Sequence, residues 1–378
     1  MVELEASDLY LTVAKPPMFR VEGKIQTGGE HAFMPEELAE LANAMLNEKQ
    51  RLEFAQTMEM NTAMSLPGVS RFRVNVFQQR GSVGMVIRRI KADIMSVAEM
   101  GLPSILQDIV MTKRGLVLVV GATGSGKSTS LAAMIDHRNT NEAGHIITIE
   151  DPIEFVHRHK QSVITQREIG FDTLSFQSAL RNTLRQAPDV ILIGEIRDTE
   201  TMEAAIVFAE TGHLCLGTLH SNNANQAIER IMNFFPIERH AQIYMQLSLN
   251  LRAIVSQRLI PSLEGRRVAA LEILMDTPRL RDLIKKGEVD ALKEGMEQGI
   301  QEGCQTFDQA LFNLYKDGKI GLEQALVNAD SANNLRLKIK LAGLKLDQEP
   351  VLPQDAEKVE KPKPAHLQPT GFRLRTSS

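Results

Sequence analysis

From about Pro103 onward, short and almost wholly apolar runs alternate with stretches of helical period. LVLVV, HIITI, VILIG and LCLGTL are too short for helices and rich in β-branched residues, so they read as buried strands. Between them, SFQSALRNTLRQA and TETMEAAIVFAE repeat their apolar positions with helical spacing. Strands apolar on both faces, interleaved with helices, predict a parallel sheet with helices on both sides and any ligand at the carboxyl ends of its strands. The first hundred residues follow another rhythm. LYLTVAKPPMFRVEGKI predicts two strands around a Pro-Pro turn, PEELAELANAMLNEKQRLEFAQTM a helix, and VSRFRVNVFQQRGSVGMVIRRI a hairpin with period-two alternation. The reading is α/β overall: an α+β domain over 1–98, then a parallel-sheet domain over 99–345. Beyond Asn222 the chain is expected to be mostly helical, apart from a strand pair around RRVAALEILM. Residues 346–378 are rich in Pro, Lys and Glu and poor in core formers, which predicts a disordered tail.

Composition narrows the classes without choosing one. A chain of 378 residues, 43% hydrophobic, can bury a sizeable core. A formal charge of -4 argues against a protein whose main partner is nucleic acid, and no nucleic-acid binding is expected. Cys215 and Cys304 lie far apart without metal-ligand spacing, which points to a reducing compartment. MVELEASDLYLTV lacks a signal-peptide pattern, and no apolar run approaches the roughly 20 residues needed to cross a bilayer. The expected location is therefore cytoplasmic, with membrane contact only peripheral or through a partner.

Directly after LVLVV stands GATGSGKST, which fits G-x-x-x-x-G-K-[ST] between a strand and a helix-forming stretch. Such a loop turns backbone N–H groups around a phosphate, so Gly121, Ala122, Thr123, Gly124, Ser125, Gly126, Lys127, Ser128 and Thr129 are the expected nucleotide cradle. Lys127 would reach the β- and γ-phosphates of ATP, and the Ser128 hydroxyl would take a Mg²⁺ coordination place. Hydrolysis also needs a carboxylate near the attacking water and neutralisation of charge on the phosphoryl oxygens. Three strands run into polar residues: HIITI into EDPIEF with Glu150, Asp151 and Glu154, VILIG into EIRD with Glu195, and LCLGTL into His220. His213 precedes that last strand. The hairpin of the first domain adds Arg71, Arg73, Arg80, Arg88 and Arg89, for which a solvated strand face and a phosphate contact across a boundary fit the spacing equally.

Taken together, GATGSGKST, TIEDPIEF, APDVILIGEIRD and AETGHLCLGTLH resemble the Walker A, Asp box, Walker B and His box of the secretion-type ATPases that drive type II secretion and type IV pili. ASDLYL, LRAIVSQRLIP, RVAALEIL and TPRLRDLIKKGE resemble the pilus retraction ATPases of the PilT/PilU group, and GEVDALKEGMEQ, CQTFDQALFNLYKDGKI and DSANNLRLKIK point to its PilU branch. The resemblance implies a PAS-like N-terminal domain, a RecA-like P-loop core with a parallel-rich sheet, trailing helices and a homohexameric ring. It also implies Glu195 as the Walker B glutamate, Glu154 as the Asp-box carboxylate that helps activate water, and His213 and His220 as His-box sensors. Arg73 and Arg88 become the arginines that reach the γ-phosphate. The implied partners are an inner-membrane pilus platform protein and a paralogous PilT-type motor, at the cytoplasmic face of the inner membrane. RLRDLI departs from the form usual in PilT proteins, close to AIRNLI, within a helix the family associates with retraction.

Overall fold

The computed structural model describes residues 1–66, 69–90 and 93–344, and the chain builds two sheets. The first contains β1 (Asp8–Leu11), β2 (Met18–Val21), β3 (Lys24–Thr27), β4 (Glu59–Leu66), β5 (Ser70–Gln79) and β6 (Ser82–Ile90). Its order is β3-β2-β1-β6-β5-β4, with every neighbouring pair antiparallel. β5 and β6 form the expected hairpin through Arg80 and Gly81, whose φ values of 50° and 76° give the left-handed two-residue turn that matches strand twist. Alternation places Val74, Val76 and Met85 against Leu38 and Ala42 of α1 (Pro35–Met45).

Two local expectations change here. The single helix expected over residues 35–58 is interrupted, because Asn47 starts a second one, α2 (Glu48–Thr57). Its side chain accepts from the Gln50 amide at 2.9 Å while the Gln50 side chain accepts from the Asn47 amide at 3.0 Å, a capping box that stops one helix and begins another. β3 and β4 are additional strands; β3 is wholly exposed and β4 buries only Met60 and Thr62, which leaves no continuous apolar run to announce them.

The second sheet follows α3 (Ile105–Val110). Along the chain come β7 (Gly115–Val120), α4 (Lys127–Asn141), β8 (His145–Glu150), β9 (Val163–Glu168), α5 (Phe176–Thr183), β10 (Val190–Ile193), α6 (Thr199–Glu210), β11 (Leu214–Leu219), α7 (Ala224–Met232) and α8 (His240–Asn250). β12 (Leu251–Pro261) and β13 (Arg267–Met275) complete it in the order β13-β12-β7-β11-β10-β8-β9, parallel except for β13. The central strand shows why the sequence folds this way. Leu116, Leu118 and Val120 enter the core under α5 to α8, while Val117 and Val119 enter the opposite core with α3 and α4. Each such side chain contributes on the order of 1.5–3 kcal/mol on full burial, so a strand apolar on both faces is driven to the centre.

Behind the sheet lie α9 (Pro278–Lys286), α10 (Leu292–Gln298), α11 (Phe307–Lys316), α12 (Leu322–Val327) and α13 (Ala332–Leu341). Phe307, Leu311, Leu335 and Ile339 pack on Ile260 and Ala270 at the far end of the β12–β13 pair. The chain is thus a mixed α/β protein with a parallel-rich P-loop sheet, an α+β layer before it and helices after it, as the sequence predicted. The tail expected over 346–378 lies outside the described residues. Among the described residues, no helix is long and apolar enough to cross a membrane.

Candidate nucleotide site

β7 ends at Val120 and the chain turns through the glycine-rich loop into α4. Gly121, Gly124 and Gly126 take φ values of 154°, 77° and 88°, a backbone course closed to most other residues. Gly126 is the N-cap of α4 and supplies no side-chain acceptor, which leaves the amides of the first turn to a ligand. The Lys127 ammonium donates to the carbonyls of Gly121 at 2.7 Å and Ala122 at 2.9 Å. Burial lowers its pKa, and the charge of Glu195 opposes that shift. A cleft of about 650 Å³, well within the range of small-molecule sites, is lined by Thr123, Gly124, Gly126, Lys127, Ser128 and Thr129 of the loop. Gly121, Ala122 and Ser125 line a second cavity of about 280 Å³, which shares Thr123, Gly124 and Arg267 with the first.

The carboxyl ends of β8, β10 and β11 bring Glu150, Glu154, Glu195 and His220 into the same cleft. His220 Nε2 stands 3.3 Å from Glu195 Oε1. Burial pushes the Glu150 carboxyl up to about 7, although it accepts from the Thr148 hydroxyl at 2.6 Å, from the Gln166 amide at 3.3 Å and from the Glu154 backbone. The charge of Glu154 adds to the upward shift. A carboxyl near neutrality, facing a phosphate cradle, can accept a proton from water. His213 sits at the other end of β11, where its Nδ1 lies 3.1 Å from Thr211 Oγ1 and 3.3 Å from Phe208 O. It is not among the residues lining this chain's own cleft.

The arginines divide. Arg88 and Arg89 of β6 line the cleft, and Arg88 donates to Asp8 Oδ1 at 2.7 Å, a bond that raises its pKa and to which the charge of Glu154 adds. Arg73, paired with Arg88 across β5 and β6, points elsewhere: its Nη2 lies 3.1 Å from Glu168 Oε1, and Arg71 Nη2 lies 3.3 Å from Glu168 Oε2. Glu168 ends β9 on the edge of the second sheet and is 1% exposed, so one buried carboxylate ties the arginine hairpin to the nucleotide-binding sheet.

Residues 47–335 match the family described as Type II/IV secretion system protein. The chain belongs to that family. Within it, the chain is 56% identical over 342 residues to the type IV pilus ATPase PilU of Pseudomonas aeruginosa, covering 90% of each chain. It is 43% identical over 329 residues to the type IV pilus retractation ATPase PilT of the same organism, covering 87% of this chain and 96% of that one. The crystal structure of the pilus retraction motor PilT with bound ADP superposes with a TM-score of 0.82 at 43% identity, over 89% of this chain and 96% of that chain. The protein is an ATPase of the PilT/PilU group, on the PilU side.

The resemblance names Glu154 as the Asp-box carboxylate, and the structure adds Glu150 beside it, held by Thr148 and Gln166 in a way that spacing does not show. Sequence reasoning had no signal for Glu168, which lies 95 positions beyond Arg73 on a polar strand, nor for Gln257 beneath the loop. Arg89 was visible only as one basic residue among several.

Proposed function

We infer that the chain is the ATP-hydrolysing subunit of a homohexameric ring that powers type IV pilus retraction by acting on an inner-membrane platform protein. Its place would be the cytoplasmic face of that membrane. The observation that carries this reading is the convergence of Lys127, Glu150, Glu154, Glu195 and His220 on one cleft, in a chain that shares its fold with a pilus retraction motor.

In this account the loop amides and Lys127 hold the phosphates, with Ser128 at the phosphate end of the cleft. Glu150 and Glu154 orient the attacking water, and Glu150 is placed to take its proton. Arg88 and Arg89 are available to charge developing on the phosphoryl oxygens, and Arg73 joins them only after leaving Glu168. The oxygen donors Ser128 and Glu195 suit Mg²⁺, which when bound would neutralise phosphate charge. His213, at the amino end of β11 and so on the opposite side of the sheet from the cleft, would act toward a neighbouring subunit. Residues 1–98 and 99–345 would be the two bodies whose relative rotation carries the work.

A second reading makes the ring an accessory that docks on a paralogous PilT-type motor. It is favoured by RLRDLI in α9, where Arg281 engages Asp276 at 2.6 Å and Asp282 engages Lys286 at 2.6 Å, a more charged face than the form usual in PilT proteins. Steady-state ATP hydrolysis over a wide range of protein concentration separates the two, with Glu195→Gln as control. Specific activity that rises with association and disappears in the variant supports the motor; absence of activity at every concentration supports the accessory ring.

A further inference from the structure

We propose that Gln257 is a positioning residue for the phosphate loop, clamping the loop to the first turn of α4 so that its amides face the cleft. The proposal rests on the reading of residues 121–129 as the nucleotide loop. β12 lies parallel to β7 with Ser256 opposite Val120, so Gln257 arrives beside Gly121 where the strand gives way to the loop. Its side chain is 3% exposed. The amide Nε2 donates to the Ser125 carbonyl at 2.8 Å, and Oε1 accepts from the Ser130 hydroxyl at 2.7 Å.

The two bonds act together. Ser130 is 2% exposed and its hydroxyl donates to Oε1, while the Ser125 carbonyl, which can only accept, fixes the amide with its NH₂ toward the loop. The reversed amide would set oxygen against oxygen. Because a peptide unit is planar and trans, the Ser125 carbonyl and the Gly126 N–H point in opposite directions. Drawing that carbonyl toward Gln257 therefore aims the Gly126 N–H away from β12 and toward the cleft that Gly126 lines.

Two loop glycines carry the imprint of the same residue. A Cβ at Gly126 would stand 2.7 Å from Gln257 Nε2, and one at Gly121 would stand 2.6 Å from the Gln257 carbonyl. These positions need glycine for close approach as well as for φ. Arg258 anchors the strand from the other side, donating to the Asn328 carbonyl at 2.9 Å, pairing with Asp330 at 3.0 Å and lying 3.7 Å over the Phe307 ring. Gln257 is thus held on a rigid support.

Gln257→Glu keeps the size and the Ser130 bond but presents an acceptor to the Ser125 carbonyl. Titration with a fluorescent ADP analogue should show Kd raised about tenfold or more, with hydrogen exchange across residues 121–126 faster in the nucleotide-free chain. Ser130→Ala should raise Kd by a smaller factor and add nothing to Gln257→Glu, because its hydroxyl acts through the amide. Gln257→Met, which brings in no charge, should raise Kd as well and serves if the glutamate variant does not fold. Wild-type Kd and wild-type loop exchange in the Gln257 variants, or full additivity with Ser130→Ala, would overturn the assignment. Lys127→Ala guards the underlying reading: if that variant binds ADP as tightly as wild type, the loop reading fails, while loop exchange still reports on Gln257.

Discussion

The two walls of the cleft are built on different principles. On the sheet wall, Lys127, Glu150, Glu195 and His220 extend directly from the ends of buried strands or from the helix after the loop, and short bonds to neighbours hold several of them. Their positions follow from apolar burial in two cores, which cannot shift without exposing strands such as β7. On the hairpin wall, Arg88 and Arg89 stand on an antiparallel sheet and Arg88 is held by an ion pair with Asp8, while outside the cleft Arg71 and Arg73 tie the same sheet to Glu168. The Arg88 side chain is 65% exposed and the buried Asp8 also has Arg20 at 3.6 Å, so Arg88 can leave without stranding that carboxylate. The rigid wall suits binding and water activation; the adjustable wall suits a step in which the two sheets move relative to each other.

The sharpest test of the rigid wall is Lys127→Ala. It removes the ammonium while leaving the glycine-rich turn intact, and hydrolysis should fall at least 10²- to 10³-fold, on the scale of deleting one preorganised electrostatic donor. Steady-state hydrolysis decides it, and activity within a few-fold of wild type would make the loop a plain turn.

Next in size is the pH dependence of Glu150. With its carboxyl near 7, the ionised fraction grows about tenfold between pH 6 and 8, so hydrolysis limited by this base should rise over that window. Glu150→Gln should be slow and lack the limb. Linkage has the opposite sign for stability. The folded chain keeps a proton that the unfolded chain releases above 4.5, so this group's contribution is full below 4.5 and is lost as pH rises to about 7. Denaturation midpoints across pH 5 to 8 should show a downward slope that the Gln variant reduces; an unchanged slope would show that Glu150 titrates elsewhere.

The contrast between the walls also explains what could be read in advance. The strands ending in Glu150, Glu195 and His220 were legible because burial on both faces writes itself as an apolar run, and GATGSGKST because a phosphate loop needs glycine at fixed intervals. β9 was not legible: VITQRE is an edge strand with polar positions, and the role of Glu168 appears only when its long-range partners are known. His213 shows another limit. The resemblance makes His213 and His220 a pair of His-box sensors, but the 6 residues of β11 stand between them, a rise of roughly 20 Å.

Glu168→Gln probes the adjustable wall. Loss of the charge should weaken the tie to Arg71 and Arg73 by about 1–3 kcal/mol, less than for a fully buried pair because the arginines keep partial access to water. If the tie restrains Arg73, the variant should also change hydrolysis while leaving ADP affinity near wild type. Equal losses in both would place Glu168 in the binding wall and erase the distinction.

The smallest effect belongs to Arg71→Ala. Arg73 still occupies Glu168 Oε1 when Arg71 is gone, so the buried carboxylate keeps a charged partner and the cost should stay at or below about 1 kcal/mol. Removing both arginines strands that carboxylate and should cost about 3–5 kcal/mol, well above the sum of the single losses. Chemical denaturation of the two single variants and the double variant measures the coupling. Simple additivity would mean that Glu168 does not integrate the two guanidinium groups, and the hairpin wall would then be held as piecemeal as any solvated surface. Strong coupling would instead make Glu168 the point at which one arginine can be given up while the sheets stay joined, which is the property an adjustable wall requires.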